Sequence, residues 1–326
     1  MFDCITIGAA TRDVFLRSKE FKTRPNPGSP NDLDFVLPLG SKIGVDELIF
    51  ETGGGATNTA VTFARQGLKT ACICRIGEDP GGSAVLESLQ NDNVDTSLVI
   101  KDREHYTGYS IILVADNGER TVLVNRGASN YFTSEMIPKD ELETKWIFIT
   151  SLGGNMELLT SLINWTENRD IKQAVIPGKE ELKQDPKILA PIFAKADVVI
   201  MNREEAAKVT GVPFEEKEKI AHEMCLLTRG ISVITDAAAG ATACDRKYFY
   251  HIGTHLNKAV ERTGAGDAFA SGFVAGLIKS DNIEQALELA ADNASNVVNY
   301  FGAKKGILHT GEQPFPDKLQ IIKTKL

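Results

Sequence analysis

The stretch AVERTGAGDAFASGF, residues 259–273, decides how the chain reads. Thr263, Gly264, Ala265 and Gly266 form a turn of small residues that runs into an apolar segment of helical period, with Phe269, Phe273 and Leu277 recurring every fourth residue. Asp267 stands at the junction. An acid in a first helical turn is ordinary, because it complements the positive end of the helix. Here it also lies where the amides of Gly264, Ala265 and Gly266 would offer N–H groups to an anion. A bare carboxylate beside a bound phosphate raises the electrostatic cost of that site, unless the acid is there to accept a proton. The pattern therefore points to a general base, Asp267, next to an anion hole built from backbone amides.

Upstream, ETGGGATNTAVTFARQG (51–67) is a second glycine-rich turn entering a helix, expected from about Ala56 to Arg65. Gly53, Gly54 and Gly55 allow close backbone approach to a ligand. Asn58 falls in the first turn, where its amide can both donate and accept, which suits a polyhydroxylated ligand. The dinucleotide fingerprint is absent, because Asn58 and Ala60 stand where its last glycine would have to be. Neither a P-loop nor a Gly-x-Ser-x-Gly elbow occurs.

Around these two turns, short apolar segments alternate with helical ones. TACICRIG (70–77), KWIFIT (145–150), IKQAVI (171–176), ADVVIM (196–201) and ISVIT (231–235) read as buried strands, and MELLTSLINWTEN (156–168) and NIEQALELAADNASNVVNYF (282–301) as helices. That alternation predicts an α/β fold with a central, mainly parallel sheet covered by helices on both faces. GYSIILVAD and RTVLVN, joined by a turn at DNGE (116–119), together with LDFVLPL and KIGVDELIFE beyond a proline-rich loop at 21–32, predict a smaller sheet. The whole of residues 1–326 reads as one domain, with lid strands inserted from about 13–52 and about 105–126. The C-terminal KLQIIKTKL is either a last strand or a tail.

The 326 residues are 42% hydrophobic and 25% charged, with a net charge of −8. No basic cluster suits nucleic-acid binding, and no apolar run reaches membrane-spanning length. Five cysteines, odd in number and without metal-ligand spacing, predict reduced thiols and a cytoplasmic protein.

GGGATN and RTGAGDAFASGF together resemble the two signatures of the ribokinase-like (PfkB) carbohydrate kinase family, and the resemblance extends over essentially the whole chain. It implies the ribokinase-like fold, ATP and Mg²⁺ as reaction partners, and a lid that closes over the sugar and often mediates dimerisation. In ITIGAATRDVFL it implies a sugar-binding acid, Asp13, joined by Gly53, Gly54 and Asn58. MNREEAAKVTG is similar to the family's Asn-x-x-Glu element, so Asn202 and Glu205 would help position magnesium and phosphate. VITDAAAGATACD is similar to the strand-loop-strand lining the nucleotide, with Thr235 and Gly240 at the matching ends, and Asn293 would lie on the adenine side. The family usually has Asp where Glu261 stands, a position that often helps hold a monovalent cation such as K⁺. Ala237 replaces a usual glycine, and Ile176 replaces a usual asparagine.

The resulting expectation is an ATP-dependent phosphotransferase acting on a hydroxymethyl group of a sugar or sugar-like acceptor. A nucleoside kinase would need an apolar or aromatic lid residue over the base, from among Phe35, Phe50 and Tyr109. A sugar-phosphate kinase would need basic residues such as Arg12, Lys42 and Arg126 at the acceptor. A catalytically silent sugar- or nucleotide-binding relative would gain little from Asp267.

Overall fold

The computed structural model describes residues 1–29, 32–115, 119–255 and 259–326. Nine strands form the main sheet among these residues. Phe2–Ile7 lies between Thr70–Ile73 and Thr144–Ile149 and runs parallel to both. Lys172–Val175, Val198–Asn202 and Ile231–Thr235 extend the sheet in parallel. Ala241–Cys244, Tyr248–Ile252 and Ile321–Lys325 then complete it antiparallel, so the C-terminal segment is a strand. The parallel strands are apolar on both faces because helices cover both.

The helices are α1 (Gly55–Arg65), α2 (Pro80–Asn91), α3 (Met156–Glu167), α4 (Pro186–Phe193), α5 (Arg203–Thr210), α6 (Lys217–Leu227), α7 (Ala265–Ser280) and α8 (Ile283–Val297). Residues of α3 to α6 share one core with Ile5, Ile147, Val199 and Ile234. Those of α7 and α8 share another with Phe63, Phe148, Val233 and Tyr250. The doubly covered parallel sheet predicted from the alternation is present. Among the described residues, no helix is long and apolar enough to cross a membrane.

The opening apolar segment divides where the sequence reads it as one. After Ile7 the chain bends through Gly8–Ala10, and Thr11–Arg17 joins a separate four-stranded sheet. There it runs parallel to Gly108–Val114 and antiparallel to Glu47–Gly53, with Arg120–Asn125 on the outer side of Gly108–Val114. Most of the turn expected at DNGE falls outside the described residues. A two-stranded hairpin, Lys22–Pro25 with Leu33–Val36, extends from the small sheet, while residues 37–46 are irregular.

One cysteine expectation is corrected. Cys225 on α6 and Cys244 on the strand beneath it are joined in a disulfide, their Cα atoms 5.8 Å apart. Tertiary packing, and not sequence spacing, brings them together. Cys4, Cys72 and Cys74 are buried and free.

Small residues let α7 and α8 approach closely. A Cβ placed on Gly276 would lie 2.5 Å from Ala286 Cα, and one on Gly272 would lie 3.0 Å from Ala290 Cα. Such a contact cannot admit a larger side chain without moving a helix. Gly276→Leu should therefore lower the unfolding free energy by about 2–3 kcal/mol in denaturant titrations; an unchanged midpoint would contradict this packing.

Candidate active site

The two glycine-rich helix starts meet. Asn58 Nδ2 donates to Asp267 Oδ2 at 2.8 Å, across 209 residues of sequence. With a carboxylate opposite, the NH₂ end of the amide must be the one that faces it. Asn58 Oδ1 is buried and has no hydrogen-bond partner among the described residues. This leaves an acceptor atom, beside an acid, that a hydroxyl donor would satisfy.

The local backbone explains the glycines. Gly264, the residue before α7, has φ 81°, and a Cβ on it would lie 2.3 Å from Ala303 Cβ. Only glycine combines that left-handed conformation with that contact. No side chain caps this end of α7, and space is open beyond Gly266. The Ala265 N–H donates to Arg262 O at 3.4 Å, which leaves the amides of Gly266 and Asp267 at the start of α7 for an anion. Gly54 precedes α1 with φ 94°, and a Cβ on Gly53 would lie 1.9 Å from Asp13 Oδ2. The glycine backbone therefore lies directly against the Asp13 carboxylate.

Asp13, on Thr11–Arg17, is 5% exposed and accepts from Thr11 Oγ1 at 2.9 Å. Burial pushes its carboxyl above the usual aspartate range, opposed by the hydroxyls of Ser110 and Thr11 and by the charge of Lys304. Burial likewise raises Asp267; the Asn58 hydrogen bond opposes this, the Asp13 charge adds to it, and Lys304 opposes it. Asp13, Gly53, Gly54, Asn58 and Gly264–Asp267 therefore form one cluster.

A second group lies at the carboxyl ends of neighbouring parallel strands, the end of an α/β sheet where ligands bind. Asn202 and Thr235 are paired in register as the last residues of their strands. Asn202 and Glu205 cap α5 reciprocally: Asn202 Oδ1 accepts from the Glu205 N–H at 2.8 Å, and Glu205 Oε2 accepts from the Asn202 N–H at 2.9 Å. Burial raises the Glu205 carboxyl. Gly240 follows the turn 237–239 with φ 91°, and Ala237 within it has φ 45°. The alanine is thus held in the left-handed region that its sequence position left in question. Ile176 is partly buried and packs on the α7/α8 core.

Asn293, expected on the adenine side, has no exposed surface. It is fully buried, donating to Ala268 O at 2.8 Å and accepting from Leu308 N–H at 2.9 Å, so it fastens α8 to α7 and to the following loop. Asp292, next along the helix, is more exposed and contacts His255 Nε2 at 2.7 Å. Strand alternation also corrects the lid candidates. Arg12, Phe50 and Tyr109 occupy the lid face opposite Asp13, with Arg12 above the Phe50 ring, and Phe35 packs against Phe21.

Glu261 is buried. Its Oε1 accepts from Thr263 N–H at 2.9 Å and from Thr263 Oγ1 at 2.6 Å, and lies 3.3 Å from Arg120. Its Oε2 has no hydrogen-bond partner among the described residues. Arg120 already offsets this charge, so a monovalent cation would find one free carboxylate oxygen here. The described residues hold no cluster of three or more His, Cys, Asp or Glu that could cage a metal. The lone Glu205 suits a Mg²⁺ that brings phosphate and water ligands of its own.

Two buried charges had no signal in the sequence. Glu181 accepts from the N–H groups of Leu152, Gly154 and Gly178 and from Ser151 Oγ, at 2.7–3.0 Å, and so fixes the loop after Thr144–Ile149. Lys304, within AKKG, donates to Thr52 Oγ1 at 2.8 Å beside the Gly53 turn.

The family profile described as pfkB family carbohydrate kinase matches residues 28–310. The chain belongs to that family. It is 27% identical over 275 residues to a ribokinase of Staphylococcus aureus, covering 82% of this chain and 89% of the relative. Its fold is similar to that of a nucleoside kinase of Methanocaldococcus jannaschii (TM-score 0.75, 19% identity, 94% of this chain and 95% of that one). It is also similar to that of an Arabidopsis thaliana ribokinase complexed with ribose and ATP (TM-score 0.76, 18% identity, 94% and 96%). The protein is a carbohydrate kinase with the ribokinase fold.

The strained Ala237 supplies a test of the 236–240 turn in this kinase. A non-glycine residue at φ 45° costs about 1–2 kcal/mol, and glycine returns part of that gain as unfolded-chain entropy. Ala237→Gly should raise stability by about 0.5–1 kcal/mol. A loss of stability in thermal unfolding would contradict the left-handed assignment.

Proposed function

We propose that this kinase transfers the γ-phosphoryl group of ATP to a hydroxymethyl group of a small polyhydroxylated acceptor, with Asp267 as the general base. The Asn58–Asp267 contact carries this reading. It sets an acid and an unsatisfied amide oxygen side by side, at the uncapped start of α7. One acceptor hydroxyl would donate to Asn58 Oδ1 while the reacting hydroxyl gives its proton to Asp267. Asp13, backed by the Gly53 turn, would hold further hydroxyls. The first amides of α7 would stabilise charge on the phosphoryl group in flight. Asn202, Glu205, Thr235 and Gly240 would line the triphosphate. Mg²⁺, bound through Glu205 and the phosphates, would neutralise phosphate charge, and K⁺, where used, would take Glu261 Oε2.

Among the described residues, the Asp13 face of the lid strands carries no exposed aromatic ring, since Phe15 is buried there and Phe50 and Tyr109 point the other way. It does expose Val122 and Val124, apolar side chains that would cover a nucleoside base as readily as a sugar ring, so the acceptor is a sugar or a nucleoside. Arg12 lies on that opposite face as well, which disfavours a sugar phosphate.

The outer lid face exposes Leu48, Phe50, Ile111 and Leu123. These four apolar side chains on one sheet face support a homodimer formed through the lid. If so, Leu123→Asp should convert a dimeric mass to a monomeric one in light scattering; a monomeric parent would overturn the assembly.

Asp267→Asn keeps an oxygen for Asn58 and removes only the base. Turnover in a panel of pentoses, hexoses and nucleosides should fall by about 10²–10⁴, with ATP affinity nearly unchanged. Near-normal turnover would refute the base. Because the base must be ionised and burial raises its pKa, kcat/KM should fall on the acid side at a pH above the ordinary aspartate value of about 3.9. A limb at or below that value would contradict the buried setting.

A further inference from the structure

The small four-stranded sheet reaches the turn before α7 by two routes. One is apolar. On the Asp13 face of that sheet, Phe15, Ile112 and Val114 pack together, and Phe301 from the loop after α8 joins them, its ring 6.1 Å from that of Phe15. Two residues on, Ala303 presses against Gly264. The other route is ionic. Arg120 opens the outermost strand, paired in register with Val114, and so projects from the same face. Its Nη1 lies 3.3 Å from Glu261 Oε1.

Glu261 sits where a contact from the sheet can act on the turn. Its backbone is tied to the end of α8, since the N–H groups of Val260 and Glu261 both donate to Val298 O, at 2.8 and 3.2 Å. Its side chain folds forward. The same Oε1 that faces Arg120 accepts from the N–H and the hydroxyl of Thr263, the residue before Gly264. Oε1 thus gathers three donors, two from the turn and one from the sheet. Glu261 is 5% exposed, and among the described residues Arg120 is its only ion-pair partner. Removing one member of a buried ion pair leaves the other uncompensated, which is strongly unfavourable. Arg17, in the same cross-strand row, contrasts with Arg120: it pairs with Glu47 inside the sheet and reaches nothing beyond it.

We propose that Arg120 is a positioning residue for phosphoryl transfer, a cation carried by the small sheet that holds the Glu261 carboxylate against Thr263. Through that carboxylate it sets the turn from which the amides of Gly266 and Asp267 emerge. The small sheet and the phosphate-facing amides then move as one unit, so displacing the sheet slackens the turn. The kinetic consequence rests on the reading of this turn as the element that meets the transferred group. The structural link from sheet to turn does not.

The test compares Arg120→Gln, Arg120→Lys, Glu261→Gln and the Arg120→Gln/Glu261→Gln double variant with Arg17→Gln. Turnover is measured at saturating MgATP with the acceptor that turns over fastest in the pentose, hexose and nucleoside panel. Arg120→Gln should lower kcat by about 10–100-fold, the cost of a misplacement of about 1 Å, with the acceptor KM little changed. Arg120→Lys should recover most of that loss, and Arg17→Gln should match the unaltered kinase. The double variant should be no slower than Glu261→Gln, because both changes break one contact. Hydrogen exchange at residues 262–267 of the unliganded protein should be faster in Arg120→Gln than in the unaltered protein or Arg17→Gln. Unchanged kcat in Arg120→Gln, losses that multiply in the double variant, an equal loss in Arg17→Gln, or unchanged exchange at 262–267 would each overturn the proposal. If Glu261→Gln does not fold, the exchange comparison on Arg120→Gln decides the point, since it needs neither that variant nor an acceptor. Turnover retained in Asp267→Asn would strike the base assignment and leave the exchange result standing.

Discussion

The structure of the site depends on one hydrogen bond between two helix starts, from the Asn58 amide on α1 to the Asp267 carboxylate on α7. Each helix begins at a glycine with positive φ, and neither start carries a side-chain cap. Backbone donors at both ends are consequently left for a ligand. The rest of the fold fixes the distance between them. The parallel sheet anchors α1, close packing of α7 on α8 sets the height of Asp267, and Ala303 against Gly264 fixes the turn before it. A shift of about 1 Å in any of these would open the 2.8 Å contact and, on the reading proposed here, misalign an acceptor with Asp267.

A second constraint is electrostatic. Asp13 and Asp267 are desolvated and each raises the other's cost of ionisation, while a proton acceptor must be ionised at working pH. Burial that would exclude water from phosphoryl transfer thus works against the proposed base. Lys304 opposes that penalty from behind the Gly53 turn. Arg120 stands in the same relation to Glu261. The cluster around Asp13 and Asp267 is acidic in its side chains, with Lys304 on the loop after α8 and Arg120 on a lid strand opposing that charge.

Much of this was legible in the sequence because it is local. Thr263–Gly266 and Gly53–Gly55 announce their turns through residue type, and the apolar period of α7 and α8 is visible without a partner. The parallel sheet follows from strand–helix alternation. What could not be read is long-range. Nothing in AKKG distinguishes Lys304, buried, from a lysine in an ordinary surface turn, and Glu181 looks like one more charge in KEEL. Asn293 reads as a polar position on a helix, yet it faces inward because the loop after α8 folds back and needs its amide. Cys225 and Cys244 meet only when α6 lies over the antiparallel end of the sheet. The opening segment ITIGAATRDVFL hides a change of sheet at Gly8–Ala10, because both halves are equally strand-like.

The central claim is that an acceptor hydroxyl lies between Asp267 and the first amides of α7. A crystal structure of the kinase with a non-transferable ATP analogue, and the acceptor that turns over fastest in the sugar and nucleoside panel, measures this directly. The acceptor's hydroxymethyl oxygen should lie about 2.6–3.2 Å from an Asp267 carboxylate oxygen, with the γ-phosphate facing the start of α7 and another hydroxyl on Asn58 Oδ1. An acceptor bound with that oxygen turned away from Asp267, or seated outside the Asp13–Asn58 cluster, would contradict it.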